Sequence, residues 1–555
     1  MLPFCLALYD VTGIQNFIFS SKKMKENIGA SLIVEKVFED FLRRALREEF
    51  GELDEEEFSK NVCWDWKKMT ELRIASRSEQ KAEIIYAGGG NALVAFRDRG
   101  LAVSVTRRFS CRVMEETAGR LEVAVAYEEN VHSGDDFSEV MKRLRRSLDR
   151  CKFAMPLSIP VLGLAVTRDG VTDGLPAARD VGEGKSQEWL SDAAFLKREA
   201  ARAENRIDRL ISRIFSDEYS RRYVSDLELD RLGRDVENGE SFLGIVHIDG
   251  NGMGKKLDGY LAKAGDFAEA VQRLRQGSKQ VSETYEKVFI DVVNELAHIW
   301  EMLKDEKFRQ SHPDKCGEIE KFVGLFKLDA GHLPLRPLIF AGDDVTFACD
   351  GRIAFDLTTR FLRKLYDSEK LDDKKFSACA GIAVVKPHFP FWRAYDLAEK
   401  LCASAKCRAR ERSSDGCWMD FQIVYTGLPA DLKDYRSVKY TTMHDKHSLL
   451  WRPYSVCDEC GKQYTWKEAL AHKNYLDEHW PHSKIKELRE ALSSSETASK
   501  LLLKECCSRG MELNAEPDTG FKNGYTRWYD LLELEDVYNE IPWLDKEDDG
   551  KEVHS

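Results

Sequence analysis

Three aspartates stand where they could hold divalent metal ions against a triphosphate. Asp249 closes the apolar run Phe242–Ile248, and Asp343-Asp344 follows Gly342 in a short turn between the apolar runs Pro337–Phe340 and Val345–Ala348. Nucleotidyl transfer needs an attacking hydroxyl, an α-phosphate and a departing pyrophosphate held in line. Two divalent ions about 3.5–4 Å apart do most of the electrostatic work between the attacking and leaving oxygens. Mg²⁺ favours carboxylate, phosphate and backbone oxygens, with water completing its shell. Carboxylates on a strand end and on a neighbouring hairpin meet that need if strand and hairpin adjoin in one antiparallel sheet. Asp and Gly are also common in plain turns, so the Asp343-Asp344 pair gains meaning only from its match in Asp249.

Directly after Asp249 comes Gly250-Asn251-Gly252-Met253-Gly254, followed by Lys255-Lys256. Closely spaced glycines let backbone N–H groups approach phosphates; an ordinary flexible turn is the equal alternative. A dinucleotide-binding reading fails because the third glycine comes one residue early. Lys406 and, one turn further, Arg410 share one face of a helical segment. A lysine in such a place is normally just solvated. His444-Asp445 lacks the further His and Asp residues of a metal phosphohydrolase, and neither a G-x-S-x-G elbow nor a Walker loop is present.

The elements that must position these residues form a repeating pattern. Phe4–Tyr9 is an apolar strand ending in Asp10, and Leu32–Phe50 has the spacing of an amphipathic helix. Glu83–Tyr86 and Ala92–Phe96 flank a glycine run that predicts a hairpin. Phe242–Ile248 with Asp249, then helical sequence, then the hairpin around Gly342, repeats the unit. Phe376–Val385 adds a strand and Trp392–Arg412 a helix. Aligned without a gap, Tyr86–Gly90 matches Phe340–Asp344, so Gly89 and Gly90 replace the carboxylate pair in the first copy. The expected organisation is a first copy over residues 1–150, a connector with a charged helical segment (near Asp192–Phe215) over 151–240, a second, metal-competent copy over 241–425, and a mostly helical region with an acidic tail over 426–555.

The bulk numbers agree with a multidomain folded chain. It has 555 residues, more than one core usually organises, and 43% are hydrophobic. The net charge of −12 argues against a surface broadly wrapped around nucleic acid. The basic stretches Lys142–Lys152 and Lys406–Arg412 read first as solvated helix faces. No apolar run reaches the roughly 20 residues of a membrane span, and Leu2–Tyr9 lacks the basic flank of a signal peptide. Fourteen cysteines without an export signal suit a reducing cytoplasm. Cys457-x-x-Cys460 has the spacing of half a zinc site. No second such pair exists, and the gap from His472 to His479 is too long for a finger, so buried thiols are the expectation over zinc.

These residues resemble a known family, the large subunit of type III CRISPR effector complexes, whose two palm domains form a cyclic oligoadenylate synthase. Asp10-Val-Thr-Gly-Ile-Gln-Asn-Phe-Ile-Phe19 and Lys25–Ser31 are similar to its first-palm signature, and Ala341-Gly342-Asp343-Asp344 resembles the GGDD signature of its second palm. Asp396–Lys406 is similar to the helix after that hairpin, and the resemblance assigns a phosphate-contacting role to Lys406. The likeness covers about residues 1–425. Two departures stand out. Ala341 replaces the first glycine, and Asn251 stands where the family often has a second carboxylate. A backbone carbonyl, of Ile248 or Gly250, can fill in for the latter.

The resemblance implies an α/β (α+β) chain with two ferredoxin-like palms forming a pseudo-dimer. The second palm would bind ATP and two Mg²⁺ or Mn²⁺ ions through Asp249, Asp343 and Asp344. Gly250, Asn251, Gly252, Met253, Gly254, Gly342, Lys406 and Arg410 would line the nucleotide, and a second nucleotide lodged toward the first palm would attack. The HD nuclease domain of many members is expected to be missing, since Phe4–Asp10 already begins the palm. A stand-alone cytoplasmic enzyme making an oligonucleotide messenger in antiviral defence, with RNA or protein partner subunits, is what the resemblance implies. A catalytically inactive palm scaffold in an RNA-guided complex, and a cyclase making mono- or dinucleotides, are the alternatives.

Overall fold

The computed structural model describes residues 2–21, 23–51, 54–69, 71–155, 164–182, 187–203, 206–225, 232, 241–329, 331–425, 431–457, 465–513 and 519–544. The chain divides into two compact units that are discontinuous in sequence. One comprises Met1–Leu210, Gly252–Glu283 and Leu371–Lys374; the other comprises Ile211–Asn251, Thr284–Lys370 and Lys375–Ser555.

The first unit is built on β1 (Phe4–Thr12), α1 (Ile14–Phe19), α2 (Met24–Lys36), α3 (Leu42–Phe50), β2 (Ala82–Gly88), β3 (Asn91–Phe96), α4 (Arg99–Glu116), β4 (Glu122–Val131) and α5 (Phe137–Ala154). The helical stretch expected over Leu32–Phe50 is real, but a π turn at Val37–Phe41 separates α2 from α3. The strands stand in the order β2-β3-β1-β4, all antiparallel, with the two-residue strand Val62–Cys63 at the edge beside β2. That order, with a helical crossover between the first and second strands and another between the third and fourth, is the ferredoxin-like palm. Helix α6 (Asp192–Ala203) lies on α2 at a closeness only glycine permits: a methyl group on Gly29 would come within 1.7 Å of the Lys197 carbonyl oxygen. Lys197 itself is buried and donates to the Phe17 carbonyl at the end of α1.

The second sheet repeats the first. Its strands are β5 (Leu243–Gly250), β6 (Leu335–Ala341), β7 (Asp344–Asp350) and β8 (Ala378–Val385), in the order β6-β7-β5-β8. It is extended beyond β8 by the parallel β9 (Trp418–Val424) and the short β10 (Tyr454–Ser455). Every residue of β8 and β9 is buried; β8 is apolar throughout, as a strand covered on both faces requires, whereas β9 also buries Asp420 and Gln422. The helices that bear on the site are, in chain order, α7 (Met253–Leu261), α8 (Phe267–Met302), α9 (Ala354–Asp367) and α10 (Phe391–Glu411), with two short helices, Glu306–Ser311 and Pro313–Gly324, between α8 and α9.

Helices α7 and the first part of α8, although they follow β5 in sequence, belong to the first unit. Leu261, Phe267, Val271 and Leu274 share a core with Phe4, Leu6 and Leu8 of β1. Arg275 is buried there against Glu83 at 2.9 Å and also donates to the Ile84 and Ile85 carbonyls. Breaking such a buried pair typically costs about 3–5 kcal/mol. From Thr284 on, α8 belongs to the second unit. Phe289 packs on Phe340 and Phe347 with ring centroids 4.8 and 5.4 Å apart, which fixes the β6–β7 hairpin on the helix.

The C-terminal region carries helices as expected: α11 (Leu432–Lys439), α12 (Trp466–His479), α13 (His482–Ser494), α14 (Glu496–Ser508) and α15 (Trp528–Leu534). It joins the second sheet through an ionic cluster. Asp420 of β9 is fully buried and held by both terminal nitrogens of Arg436, at 2.8 and 2.9 Å. Arg452 pairs with Glu533 at 2.9 Å and lies over the rings of Phe421 and Tyr440. The acidic tail from Asp545 lies outside the described residues. Among the described residues no helix is long and apolar enough to cross a membrane.

Candidate active site

Strand β5 is buried up to Ile248, apolar except for His247, and becomes partly exposed only at Asp249. Its neighbours decide what that aspartate meets. Asp249 is paired directly across the sheet with Asp344 on one side and with Cys379 on the other. The strand end and the hairpin foreseen from the sequence are therefore adjacent. Asp343 occupies the two-residue turn with Gly342, whose φ of +70° is left-handed and suits glycine. A methyl group on Gly250 would come within 2.5 Å of Asp343 Oδ2 and 2.9 Å of the Tyr285 hydroxyl, so the Asp343 carboxylate lies against bare backbone.

The electrostatics are those of an anionic cluster. Asp344 is half-buried, and its Oδ1 is sealed from solvent without a hydrogen-bond partner. Burial first, then the charges of Asp249, Asp343 and Glu399, push its carboxyl well above the usual carboxylate range. His247 lies beneath it, with Nδ1 3.3 Å from Asp344 Oδ1 and 3.1 Å from the Thr346 hydroxyl. Burial holds that imidazole down to about 4, so it is neutral near pH 7 and does not balance the aspartates. Tyr395 of α10 stands edge-on to His247 with ring centroids 5.6 Å apart. Nothing in the sequence singled out His247, Thr346, Tyr395 or Tyr285, because each acquires its role from a partner on another element.

Lys406 supplies the opposing charge. Its ammonium lies 2.5 Å from Asp249 Oδ2 and donates to the Gly250 carbonyl at 3.0 Å. It thus occupies two of the oxygens expected to face a metal ion. Among the described residues no three His, Cys, Asp or Glu side chains already converge as a metal cage. The donor set nevertheless fits a hard divalent ion: hard oxygens only, one of them orphaned on a carboxyl that burial and then its neighbours' charges push up. Removing the ammonium is expected to weaken triphosphate binding. Lys406→Met should raise the dissociation constant of a non-hydrolysable ATP analogue by about 10- to 100-fold, the range of a lost charge-assisted contact. Calorimetric titration checks this, and unchanged affinity would remove Lys406 from the site.

The first sheet carries the same pair. Lys152 lies 2.9 Å from the Asp10 carboxylate. Each lysine stands fifteen residues after the phenylalanine that opens its helix, Phe137 or Phe391. That shared offset was the available signal, but Lys152 reads from sequence only as the end of a basic run. The hairpins differ from the gap-free alignment by one residue. Asp10 pairs with Asn91 as Asp249 pairs with Asp344, and Gly88 faces Asn91 as Ala341 faces Asp344. A bulge recurs at the same place, between Ile84 and Tyr86 and between Pro337 and Ile339. The residues in place of Asp343 and Asp344 are therefore Gly90 and Asn91. Matching glycine to glycine misled the alignment, whereas the ladder counts from the turn.

The other expected nucleotide contacts are distributed more widely. Gly252, with φ +60°, caps α7, Met253 opens that helix, and from Gly252 onward the loop clusters with the first unit. Arg410 is exposed on α10 and makes no ion pair among the described residues. Asn251 is turned toward β9, as described below. Cys457 is buried after β10, and Cys460 lies outside the described residues. Asp445 of the His444-Asp445 pair accepts from the Glu496 N–H in the first turn of α14, a structural role.

No family model and no curated protein matches the chain. Solved structures do. The crystal structure of Csm1 in T.onnurineus matches with a TM-score of 0.50 and 15% identity, over 96% of this chain and 69% of that one. The Csm1-Csm4 cassette in complex with cA4 matches with a TM-score of 0.47 and 14% identity, and the Csm1-Csm4 subcomplex in the type III-A CRISPR-Csm interference complex with 0.48 and 13%; each covers 96% of this chain and 69% of that one. The Csm1 likeness establishes the fold class, a mixed α/β chain built on palm domains.

Proposed function

We propose that the second palm is a metal-dependent nucleotidyltransferase that joins ATP into a cyclic or linear oligonucleotide. The observation that carries this reading is the cross-strand pairing of Asp249 with Asp344, with Asp343 beside Gly250. Asp249, Asp343 and Asp344, with the Gly250 or Ile248 carbonyl, would hold two Mg²⁺ or Mn²⁺ ions. When bound, such ions stabilise charge on the attacking and leaving oxygens of an in-line displacement. The chain's own part is placement. Lys406 moves from Asp249 to the triphosphate and neutralises the departing pyrophosphate. His247 and Thr346 bond each other beneath the Asp344 carboxylate and fix the floor on which it rests. No side chain is required as general base, since positioning carries the step.

The motif resemblance supports oligoadenylate as the product and antiviral signalling as the setting, with protein or RNA partner subunits and a cytoplasmic location. At Cys457 and Cys460 this reading takes free thiols over zinc. Purified protein incubated with each nucleoside triphosphate and Mg²⁺ or Mn²⁺ is expected to release pyrophosphate and form an oligonucleotide visible by mass spectrometry. The Asp343→Ala/Asp344→Ala protein is expected to form none. The alternative is an inactive scaffold, favoured by the Lys406 ammonium already seated on Asp249. Absence of metal-dependent ATP binding in the parent protein would decide for it.

A further inference from the structure

Asn251 lies two residues beyond Asp249, where another carboxylate would enrich a metal site. Its donors are committed elsewhere. The side-chain amide donates to the Gly416 carbonyl at 3.0 Å, and the Cys379 sulfur is also within its hydrogen-bonding reach. Its backbone N–H donates to the Ser377 carbonyl at 2.8 Å, toward which the buried Tyr285 hydroxyl also points at 3.5 Å. Ser377 immediately precedes β8 and Gly416 lies two residues before β9, and Cys379 is the cross-strand partner of Asp249 itself. The residue after Gly250 is thus tied to two further strands at the end of the sheet where the aspartates stand.

An aspartate would keep the backbone bond to Ser377 but could not make the side-chain bond to Gly416. It is isosteric with asparagine but has no donor when ionised, so it would set a carboxylate oxygen against the Gly416 carbonyl. A lost bond and an unfavourable contact would replace a favourable one. The backbone displaced first would be Gly250, whose carbonyl meets Lys406 and whose α-carbon supports Asp343.

We propose that Asn251 is a positioning residue that clamps the Asp249–Gly250 backbone to the starts of β8 and β9, and that it is not a weakened metal ligand. The role rests on the nucleotidyltransferase reading for its catalytic consequence, but the clamp itself is a property of the fold. It is tested in the full-length chain with Asn251→Asp and Asn251→Ala, by Mn²⁺ titration, steady-state kinetics with ATP, and hydrogen exchange over residues 249–252. The expected result is no gain in Mn²⁺ affinity for Asn251→Asp, a kcat lower by on the order of 100-fold in both variants with KM little changed, and faster exchange at the Asn251 amide. A tenfold tighter Mn²⁺ affinity with undiminished turnover in Asn251→Asp would overturn the proposal, because it would mark a ligand position awaiting its carboxylate. If the parent protein turns over no ATP, the functional reading fails by itself. Exchange then still decides the clamp: acceleration in Asn251→Ala supports it, and an unchanged rate overturns it.

Discussion

The Asp344→Asn protein is expected to melt at a higher temperature than the parent when divalent metal is withheld and, on the proposed function, to lose turnover when metal is supplied. Both follow from one arrangement. Asp344 is packed beside Asp249 and Asp343 with one oxygen sealed and unbonded, so its ionised form is disfavoured in the folded state. The neutral amide removes that repulsion. Asp344 is partly exposed, which screens the gain to about 1 kcal/mol, a rise of roughly 2–4 °C for a domain of this size. The shift also has a pH signature. A carboxyl whose folded pKa is raised contributes stability that is complete below its unfolded pKa and is lost as pH rises through the folded value. The advantage of the variant should therefore be absent in acid and grow toward neutral pH. Saturating Mg²⁺ should stabilise the parent, by about 2.7 kcal/mol at a hundred times the dissociation constant, and leave the variant unmoved. Turnover should fall by about 10³-fold or more. Melting curves with and without Mg²⁺ at several pH values test the set. A variant that melts below the parent at neutral pH and still responds to Mg²⁺ would show that Asp344 is not part of a metal site.

Gly381→Ala is expected to damage the second palm more than any surface change could. Gly381 is in the buried centre of β8, and a methyl group there would come within 1.9 Å of the Ala398 carbonyl oxygen and 2.5 Å of the Cys402 backbone nitrogen. These are helix backbone atoms and cannot turn aside as a flexible side chain would. Helix α10 must move off the sheet, and Lys406 lies one turn beyond Cys402 on that helix. Overpacking usually costs about 1–3 kcal/mol, and a clash with two backbone atoms belongs at or above that limit. The expected fall in melting temperature is roughly 6–12 °C. Nucleotide affinity of whatever folds should drop with it, because the Lys406 contact to Asp249 and Gly250 is drawn away. A Gly381→Ala protein that melts with the parent would mean that α10 does not rest on β8 as closely as described.

Much of the site was legible in the residues. The apolar run ending in Asp249, the glycine turn before Asp344 and the helix bearing Lys406 each carry their signal within a dozen residues, because strand alternation, turn chemistry and helical spacing are local properties. The repeat of strand, helix and hairpin was legible for the same reason. The one-residue error in matching the hairpins shows where local reading stops. Glycines mark a turn, but cross-strand register counts from the turn and is set by both strands and their bulge.

The sequence by itself determined which residues could carry metal and phosphate chemistry, that two copies of one unit exist, and that the first copy lacks the carboxylate pair. Only the tertiary structure decided that Asp249 faces Asp344, that Lys406 and Lys152 answer the aspartates of their own sheets, that Asn251 spends its amide on Gly416, and that α7 joins the core of the first unit. Each of these joins residues far apart in the chain. Such pairings follow from which buried faces pack together, and no window along the sequence contains both partners.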